Sequence, residues 1–250
     1  DRTSGPATIE TPTQQGFDLA RDPGIPYLYS ASFCGNQLSY DRKGIGRETP
    51  DGLGYSGSEM EGMLIAGNTF DYPFLHGKAI QSAGGYSFVS CSDEAIEQGY
   101  IRMEDYPITD LIFGAEKSVA STKMQERIAD YTRQGGHLLV SGSYLGSILP
   151  ASIAEDVLKF KHGGSMWGVT TGQVSGANTT LTFPTQVNEK TYAVPSPDCL
   201  LPTGNAYSSF VYTPGNYGAG IAYKGTDYRT FVLGFPFESI EGVEQRAWVM

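Results

Sequence analysis

The sequence predicts an α/β fold of three layers, in which helices cover both faces of a mostly parallel sheet. Up to residue 160, short apolar runs alternate with helical stretches, which is typical of strand–helix–strand units. The chain has 250 residues, 40% of them hydrophobic, and this is enough to bury the core of one domain. Beyond residue 163 Thr, Gly, Val and Tyr dominate. We therefore expect a β-rich C-terminal extension or insertion over residues 163–230.

The pattern of apolar residues places the elements of this fold. We expect strands of the first part at residues 26–33, 63–66, 86–91, 110–113 and 137–140. Residues 121–134 form the clearest helix, because Met124, Ile128 and Tyr131 recur at helical spacing and a Gly-Gly pair follows. In the extension we expect antiparallel strands at residues 179–183, 208–212, 218–223 and 229–234.

The first residues indicate a larger, exported protein. Residues 1–22 are polar and resemble a linker or extended segment, so we expect a single domain over residues 23–250. The chain starts at Asp1 rather than at Met, which suggests a trimmed signal peptide and further domains in the full-length chain. We therefore expect a secreted, periplasmic or cell-surface protein. No apolar stretch reaches the roughly 20 residues of a membrane-spanning helix, so we expect no membrane span.

Charge and cysteine content exclude several classes of function. The net charge of −10 would repel DNA or RNA, so no nucleic-acid partner is expected. Cys34, Cys91 and Cys199 are widely spaced and form no C-x-x-C motif, which excludes a zinc ribbon or thioredoxin motif. Whether they are free or disulfide-bonded stays open. The three histidines form no zinc motif, and we expect neither a metal nor a cofactor.

The segment with the most chemical information is GGHLLVSGSYLGS at residues 135–147. An apolar strand leads through GSYLG at residues 142–146 into a helix, which is the shape of a nucleophile elbow. Amides at such a helix start can stabilise an anion. The central residue is Tyr144, and a phenol without an adjacent base is not an activated nucleophile. Ser143 lies one position from the centre, where we expect a turn or capping role.

This elbow resembles that of the class I glutamine amidotransferase-like fold, whose motif is G-x-C-x-G. The closing segment VLGFPFE at residues 232–238 resembles the F-H-P-E core of the same fold. Phe235 and Glu238 match that core, but Pro236 stands where the base would be, and proline cannot take a proton. The resemblance therefore implies a degenerate triad of Tyr144, Pro236 and Glu238 without glutaminase activity.

A second resemblance extends over most of the chain. Its segments are IPYLYSASFCG, AGNTFDYPFLHG, GYSFVSCS, GGHLLVSGSYLGS and FVLGFPFESI. They resemble an uncharacterised, golvesin-associated domain of secreted Bacteroidetes proteins labelled xanthan lyase or N-acetylmuramoyl-L-alanine amidase. With the amidotransferase likeness, this implies a flavodoxin-like arrangement and a polysaccharide or peptidoglycan partner. It implies no catalytic residues.

A second candidate site follows the second predicted strand. His76 could act there as a general base oriented by Asp71, in a segment rich in Gly, Asn and aromatic residues. The alternative is a structural loop in which His76 caps a helix. Cys91 precedes a predicted helix start, which would lower its pKa, although a buried strand-end thiol is the alternative. The tyrosines of the extension could stack on sugar rings or fill a sheet surface: Tyr207, Tyr212, Tyr217, Tyr223 and Tyr228.

Three functions fit these observations. The first is a non-catalytic domain of a larger protein that acts on or binds polysaccharide or cell wall. The second is a polysaccharide lyase that uses Tyr144 or His76 as base and Arg47 or Arg102 to neutralise a uronate. The third is a scaffold or interaction module whose elbow is packed shut. In the first two, one cleft at the carboxyl edge of the sheet contains the candidate residues Asp71, His76, Ser143, Tyr144 and Glu238.

Overall fold

The computed structural model describes residues 37–38, 64–65, 72–114, 117, 119–186, 193–194 and 196–250. The chain forms two compact units, one of residues 1–71 and 188–192 and one of residues 72–187 and 193–250. In the first unit the description covers two short antiparallel strands, β1 (Gln37–Leu38) and β2 (Leu64–Ile65). The predicted linker, the strand at 26–33 and the candidates Cys34, Arg47 and Asp71 lie outside the described residues.

Among the residues that the structure describes, the second unit contains the other strands and the helices. The strands are β3 (Ile108–Gly114), β4 (His137–Gly142), β5 (Phe160–Ser165), β6 (Gln173–Gly176), β7 (Thr179–Thr182), β8 (Asp198–Pro202), β9 (Tyr207–Thr213), β10 (Tyr217–Lys224) and β11 (Arg229–Leu233). The helices are α1 (Tyr72–Ala83), α2 (Asp93–Glu97), α3 (Thr122–Arg133), α4 (Leu145–Ile148), α5 (Ala151–Ala154) and α6 (Val243–Val249). Two 3-10 turns lie at Met103–Asp105 and Phe237–Ser239.

In the described part of the chain, the main sheet has seven strands in the order β3-β4-β11-β10-β9-β6-β7, and β5 pairs separately with β8. Of the described pairings in this sheet, only β3–β4 and β4–β11 are parallel. The pairings β11–β10, β10–β9, β9–β6 and β6–β7 are antiparallel. A short parallel core therefore continues directly into an antiparallel meander.

The predicted fold class is wrong. The sheet is mixed and curled into a half-barrel, so the molecule is neither a mostly parallel three-layer fold nor flavodoxin-like or class I glutamine amidotransferase-like. The physical reason lies in residues 163–230, which the sequence places in an extension beside the sheet. They supply four of its seven described strands, and β10 joins them to the parallel strands by pairing residues 220–224 with residues 229–233 of β11. The predicted strand at residues 86–91 is an exposed segment without strand pairing.

The predicted helix at residues 121–134 is confirmed as α3. Its start is capped by Ser121, whose Oγ accepts a hydrogen bond from the Met124 amide at 3.0 Å. Its end needs Gly135, which has a φ of +92°, a conformation that favours glycine. The cap and the glycine together define the length of the helix that covers the core.

The core lies on one face of the three parallel strands, below α3, α4 and α5. Ile128 and Tyr131 of α3 pack in one buried cluster with Leu138 and Val140 of β4 and Val232 of β11. Because side chains alternate along a strand, the neighbours of these strand residues face the opposite side of the sheet. That side is covered by α1, which contacts β3, α6 and the turn Phe237–Ser239.

Replacing Ile128 tests how much this core contributes to the stability of the fold. Ile128 is fully buried, so Ile128→Ala removes apolar contacts and leaves a cavity; we expect a loss of about 2–5 kcal/mol of unfolding free energy by urea denaturation. The control is Lys123→Ala on the exposed face of the same helix, which should stay within about 0.5 kcal/mol of the wild type. Equal losses in both variants would contradict the assigned burial.

Candidate functional site

His76 of α1 is buried between two carboxylates. Its Nδ1 lies 2.5 Å from Asp110 Oδ2, and its Nε2 lies 3.1 Å from Glu238 Oε2. The ring of Phe237 packs against the imidazole, with 4.4 Å between the ring centroids. Asp110 belongs to β3 and Glu238 to the turn after β11, so the cluster joins three elements that are distant in sequence.

The register of the sheet brings these residues together. Asp110 pairs with Leu139, and Leu139 pairs with Phe231, so all three side chains point to the face below α1. After β11 the chain enters the 3-10 turn, where the carbonyl of Pro236 accepts hydrogen bonds from the amide and the hydroxyl of Ser239. Pro236 thus has a structural role: it starts the turn that presents Glu238 to His76.

Burial by itself lowers the pKa of His76, because it penalises the charged imidazolium. The charge of Asp110 and the hydrogen bonds with Asp110 and Glu238 outweigh this effect and raise the pKa to about 9. At neutral pH His76 is therefore an imidazolium that donates an N–H to each carboxylate. In this state it has no free lone pair and cannot act as a general base.

The elbow is present as a local structure. β4 ends at Gly142, the chain turns at Ser143 and Tyr144, and α4 begins at Leu145. The Ser143 amide donates to the Gly114 carbonyl at 2.8 Å, and the Ser143 side chain is buried. A Cβ at residue 142 would collide with Phe113, so the turn requires glycine at that position.

Tyr144 makes its contacts away from His76. Its half-buried ring packs against the hydrophobic core, on the other face of the sheet from Asp110, and Lys117 Nζ lies 5.2 Å from its centroid. Both ring nitrogens of His76 are bonded to carboxylates, and neither reaches the phenol. Of the five predicted site residues, the structure brings together His76 and Glu238, places Ser143 and Tyr144 at the elbow and leaves Asp71 undescribed.

Asp198 of β8 is bonded to the elbow. Its Oδ2 accepts a hydrogen bond from the Gly146 amide at 2.8 Å, and its Oδ1 lies 3.4 Å from His162 Nε2. The His162 ring covers Gly146 so closely that a Cβ there would collide with it. The Asp198 main chain donates to Gly234 and accepts from the Tyr212 hydroxyl. Asp198 therefore connects the elbow with the ends of β5, β9 and β11.

Burial raises the pKa of Asp198 to about 6, and the hydrogen bond from Gly146 and the nearby His162 offset only part of this rise. The elbow amide that could stabilise a developing anion already has an internal carboxylate as its partner. Asp110 and Asp198 were both missed by sequence reasoning. Asp110 had a signal, since it is a carboxylate at the head of the apolar run DLIF, whereas Asp198 had none.

The other candidates occupy separate places. Burial and the charge of Asp93 raise the pKa of the Cys91 thiol, whereas a lower pKa was expected; Cys91 and Cys199 are free. Arg102 is exposed, with its Nε 3.9 Å from carboxylate oxygens of Glu104 and Asp105.

Within the described ranges, no three His, Cys, Asp or Glu side chains are grouped as metal ligands. The helices described are all too short or too polar to cross a membrane.

The tyrosines of the extension are not gathered on one surface. Tyr212 is buried and bonded to Asp198, and Tyr223 packs against Tyr228 with 5.1 Å between the ring centroids. Tyr207 and Tyr217, about half exposed, lie at opposite ends of the β9–β10 hairpin. A row of stacking tyrosines is therefore absent from this part of the described structure.

No family model matches the chain, and no curated protein matches it. Among solved structures, an exo-β-1,4-mannosidase, Op5Man5 from Opitutaceae bacterium strain TAV5, is similar over 70% of this chain and 28% of its own, with 10% identity and a TM-score of 0.50. A β-galactosidase from the Antarctic haloarchaeon Halorubrum lacusprofundi has a TM-score of 0.41, 12% identity and coverage of 60% and 22%. A cytoplasmic protein from Salmonella typhimurium, STM3548, has a TM-score of 0.37, 13% identity and coverage of 70% and 76%.

The mannosidase likeness concerns the fold alone, and the chain spans 28% of the mannosidase's length. The resemblance to the Bacteroidetes domain labelled xanthan lyase or N-acetylmuramoyl-L-alanine amidase, with an amidotransferase-like fold, is wrong. No family model matches the chain, and the mannosidase whose fold it shares is a β-rich structure. At residues 142–146 the matched segment is a glycine-flanked strand–helix junction, and at residues 232–238 it is the end of β11 followed by a 3-10 turn.

The His76 cluster predicts how stability depends on pH. The pKa of His76 is raised from 6.5 to about 9, so its stabilisation is fully present below pH 6.5 and is lost as pH rises through 9. We expect urea denaturation to show a loss of about 3 kcal/mol across this window. His76→Gln should abolish this slope, whereas the control His137→Gln should retain it. An unchanged slope in His76→Gln would assign the pH dependence to another group.

The raised pKa of Asp198 predicts a second pH-dependent change in stability, at a lower pH than that of His76. Its pKa is raised from 3.8 to about 6, so the stabilisation from its bound proton is present below pH 3.8 and is lost as pH rises through 6. Asp198→Asn keeps an oxygen acceptor for the Gly146 amide and removes the charge, so this step should vanish in denaturation curves measured from pH 3.5 to 7.5. Asp227→Asn, at an exposed carboxylate, is the control and should keep the wild-type profile. A step that persists in Asp198→Asn would refute the assignment.

Proposed function

We propose that this chain is a non-catalytic domain of a larger, secreted protein that acts on or binds polysaccharide. The observation that carries the proposal is the state of His76, whose two ring nitrogens are bonded to Asp110 and Glu238 inside the protein. A base must present a free lone pair to its substrate. His76 presents none, and its contacts suit a cation that holds α1 to the sheet.

The elbow supports the same proposal. Its central side chain, Tyr144, is a phenol that packs against the core, and it has no hydrogen bond to a base. The amide of Gly146, at the start of α4, donates to the Asp198 carboxylate. A substrate anion at this amide would have to displace a buried internal acceptor. The local shape of a nucleophile elbow is therefore combined with groups that serve folding.

The link to polysaccharide rests on two supports. The composition is rich in Gly and Tyr, with 32 and 16 residues, which is common in carbohydrate-associated exported proteins. One protein that shares the fold is an exo-β-1,4-mannosidase, and the match covers 28% of the mannosidase chain. A domain of this kind thus occurs inside a larger enzyme that acts on a glycan. The net charge of −10 favours a neutral polymer over an anionic one.

A polysaccharide lyase is less well supported. β-Elimination would need Tyr144 or His76 as a base and a cation close to the uronate carboxylate. His76 is already protonated, Tyr144 lies on the other face of the sheet, and Arg102 lies beside two carboxylates of its own loop. These three groups do not form one site.

Direct assays test the proposal. The protein is incubated with xanthan, polygalacturonate, glucomannan and peptidoglycan, while ultraviolet absorbance follows unsaturated products and a reducing-end assay follows hydrolysis. We expect no turnover above the level of the variants Tyr144→Phe and His76→Gln. Sedimentation with insoluble mannan or cell-wall material should show binding. Turnover that falls in either variant, or the absence of binding to every polymer, would overturn the proposal.

A further inference from the structure

Trp167 is held out into solvent, which is unusual for the largest side chain. It is 71% exposed, and the neighbouring Val169 is 48% exposed. Tryptophan is on average a well-buried residue, because its ring has a large apolar surface. In the described part of the chain the Trp167 ring has neither an aromatic contact nor a hydrogen bond. The indole therefore offers a free apolar face.

Several hydrogen bonds fix the backbone that carries the indole. Met166 is buried, and its amide donates to the Pro197 carbonyl at 2.8 Å. The amides of Val169 and Thr170 both donate to the Met166 carbonyl, and the Trp167 amide donates to Ser165 Oγ at 3.0 Å. Gly168 has a φ of +69°, which closes the turn at low cost only for glycine. A ring on such a turn loses little conformational entropy on binding.

The segment of the chain that contains Trp167 is uncharged and rich in hydroxyl groups. Residues 163–188 contain no Asp, Glu, Lys, Arg or His, in a chain whose net charge is −10. Ser165 is bonded to Ser196 at 2.7 Å, and Thr171 Oγ1 donates to the Thr213 carbonyl at 2.8 Å. This segment of the chain thus combines one exposed apolar ring with neutral hydroxyls, and Asp198, which pairs with Ser165 across the β5–β8 ladder, is buried.

We propose that the turn of residues 165–170 is a binding site for a neutral polysaccharide, with the Trp167 indole stacked on the apolar face of a pyranose ring. This inference rests on the proposed function and names the surface that performs it. A sugar has an apolar ring face and a hydroxyl rim, which match the indole and its surroundings.

Tryptophan fluorescence provides the test, because the chain has only two tryptophans, Trp167 and Trp248. The Trp248→Phe variant leaves Trp167 as the sole emitter. Titration with soluble glucomannan should shift its emission to the blue, and polygalacturonate at the same concentration should not. By pull-down with insoluble mannan, Trp167→Ala should weaken binding about tenfold, and Trp248→Phe should bind like the wild type. Trp167→Ala should keep the wild-type melting temperature, since the side chain is mostly exposed.

The outcomes separate this inference from the proposed function. Mannan binding that is undiminished in Trp167→Ala would overturn the site and leave the proposed function standing. An emission shift with polygalacturonate but not with glucomannan would overturn the assignment to a neutral glycan. Binding to no polymer at all would overturn both. A shift with glucomannan that is reversed by dilution, together with the loss in Trp167→Ala, would support the site.

Discussion

The buried imidazolium of His76 between Asp110 and Glu238 is the interaction on which the arrangement of α1 depends. Removing charges from water is expensive, and a cluster of this kind is tolerated only when each charge meets an opposite one with good geometry. Here the imidazolium lies between two carboxylates, with one ring nitrogen bonded to each. Asp110 Oδ1 is buried without a hydrogen-bond partner among the described residues. The described hydrogen bond of the Asp110 carboxylate is thus the one between Oδ2 and His76, which connects β3 with α1.

Asp198 has a comparable role on the other side of the sheet. Its side chain binds the elbow and faces His162, and its main chain contacts Gly234 and Tyr212. Both clusters connect segments that are more than thirty residues apart, as the contacts of His76 with Asp110 and of Gly146 with Asp198 show. The ionisable side chains of His76 and Asp198 thus stabilise contacts between distant parts of the fold.

This use of polar groups accompanies the local shape of a nucleophile elbow. A strand–turn–helix junction needs glycine where the chain bends, and Gly142 and Gly146 meet that requirement with Phe113 and His162 as close neighbours. The same geometry serves a nucleophile in other folds. Catalysis would further require a base, an open amide and a cleft in common, and in this protein those groups belong to different contacts. The mixed sheet, which curls as a half-barrel, separates them further.

By itself the sequence determined what depends on local spacing: the helix α3 with its Ser121 cap and glycine end, the strand–turn–helix at residues 142–146, and strands close to β4, β9, β10 and β11. It also placed His76 and Glu238 in one candidate site. Tertiary structure alone decided that β10 pairs with β11 and turns a supposed extension into most of the sheet. It also decided that Asp110, rather than Asp71, is the described partner of His76, and that Asp198 meets Gly146. Pairing between strands and contacts between distant residues depend on register and packing, which leave no periodic signal in a single sequence.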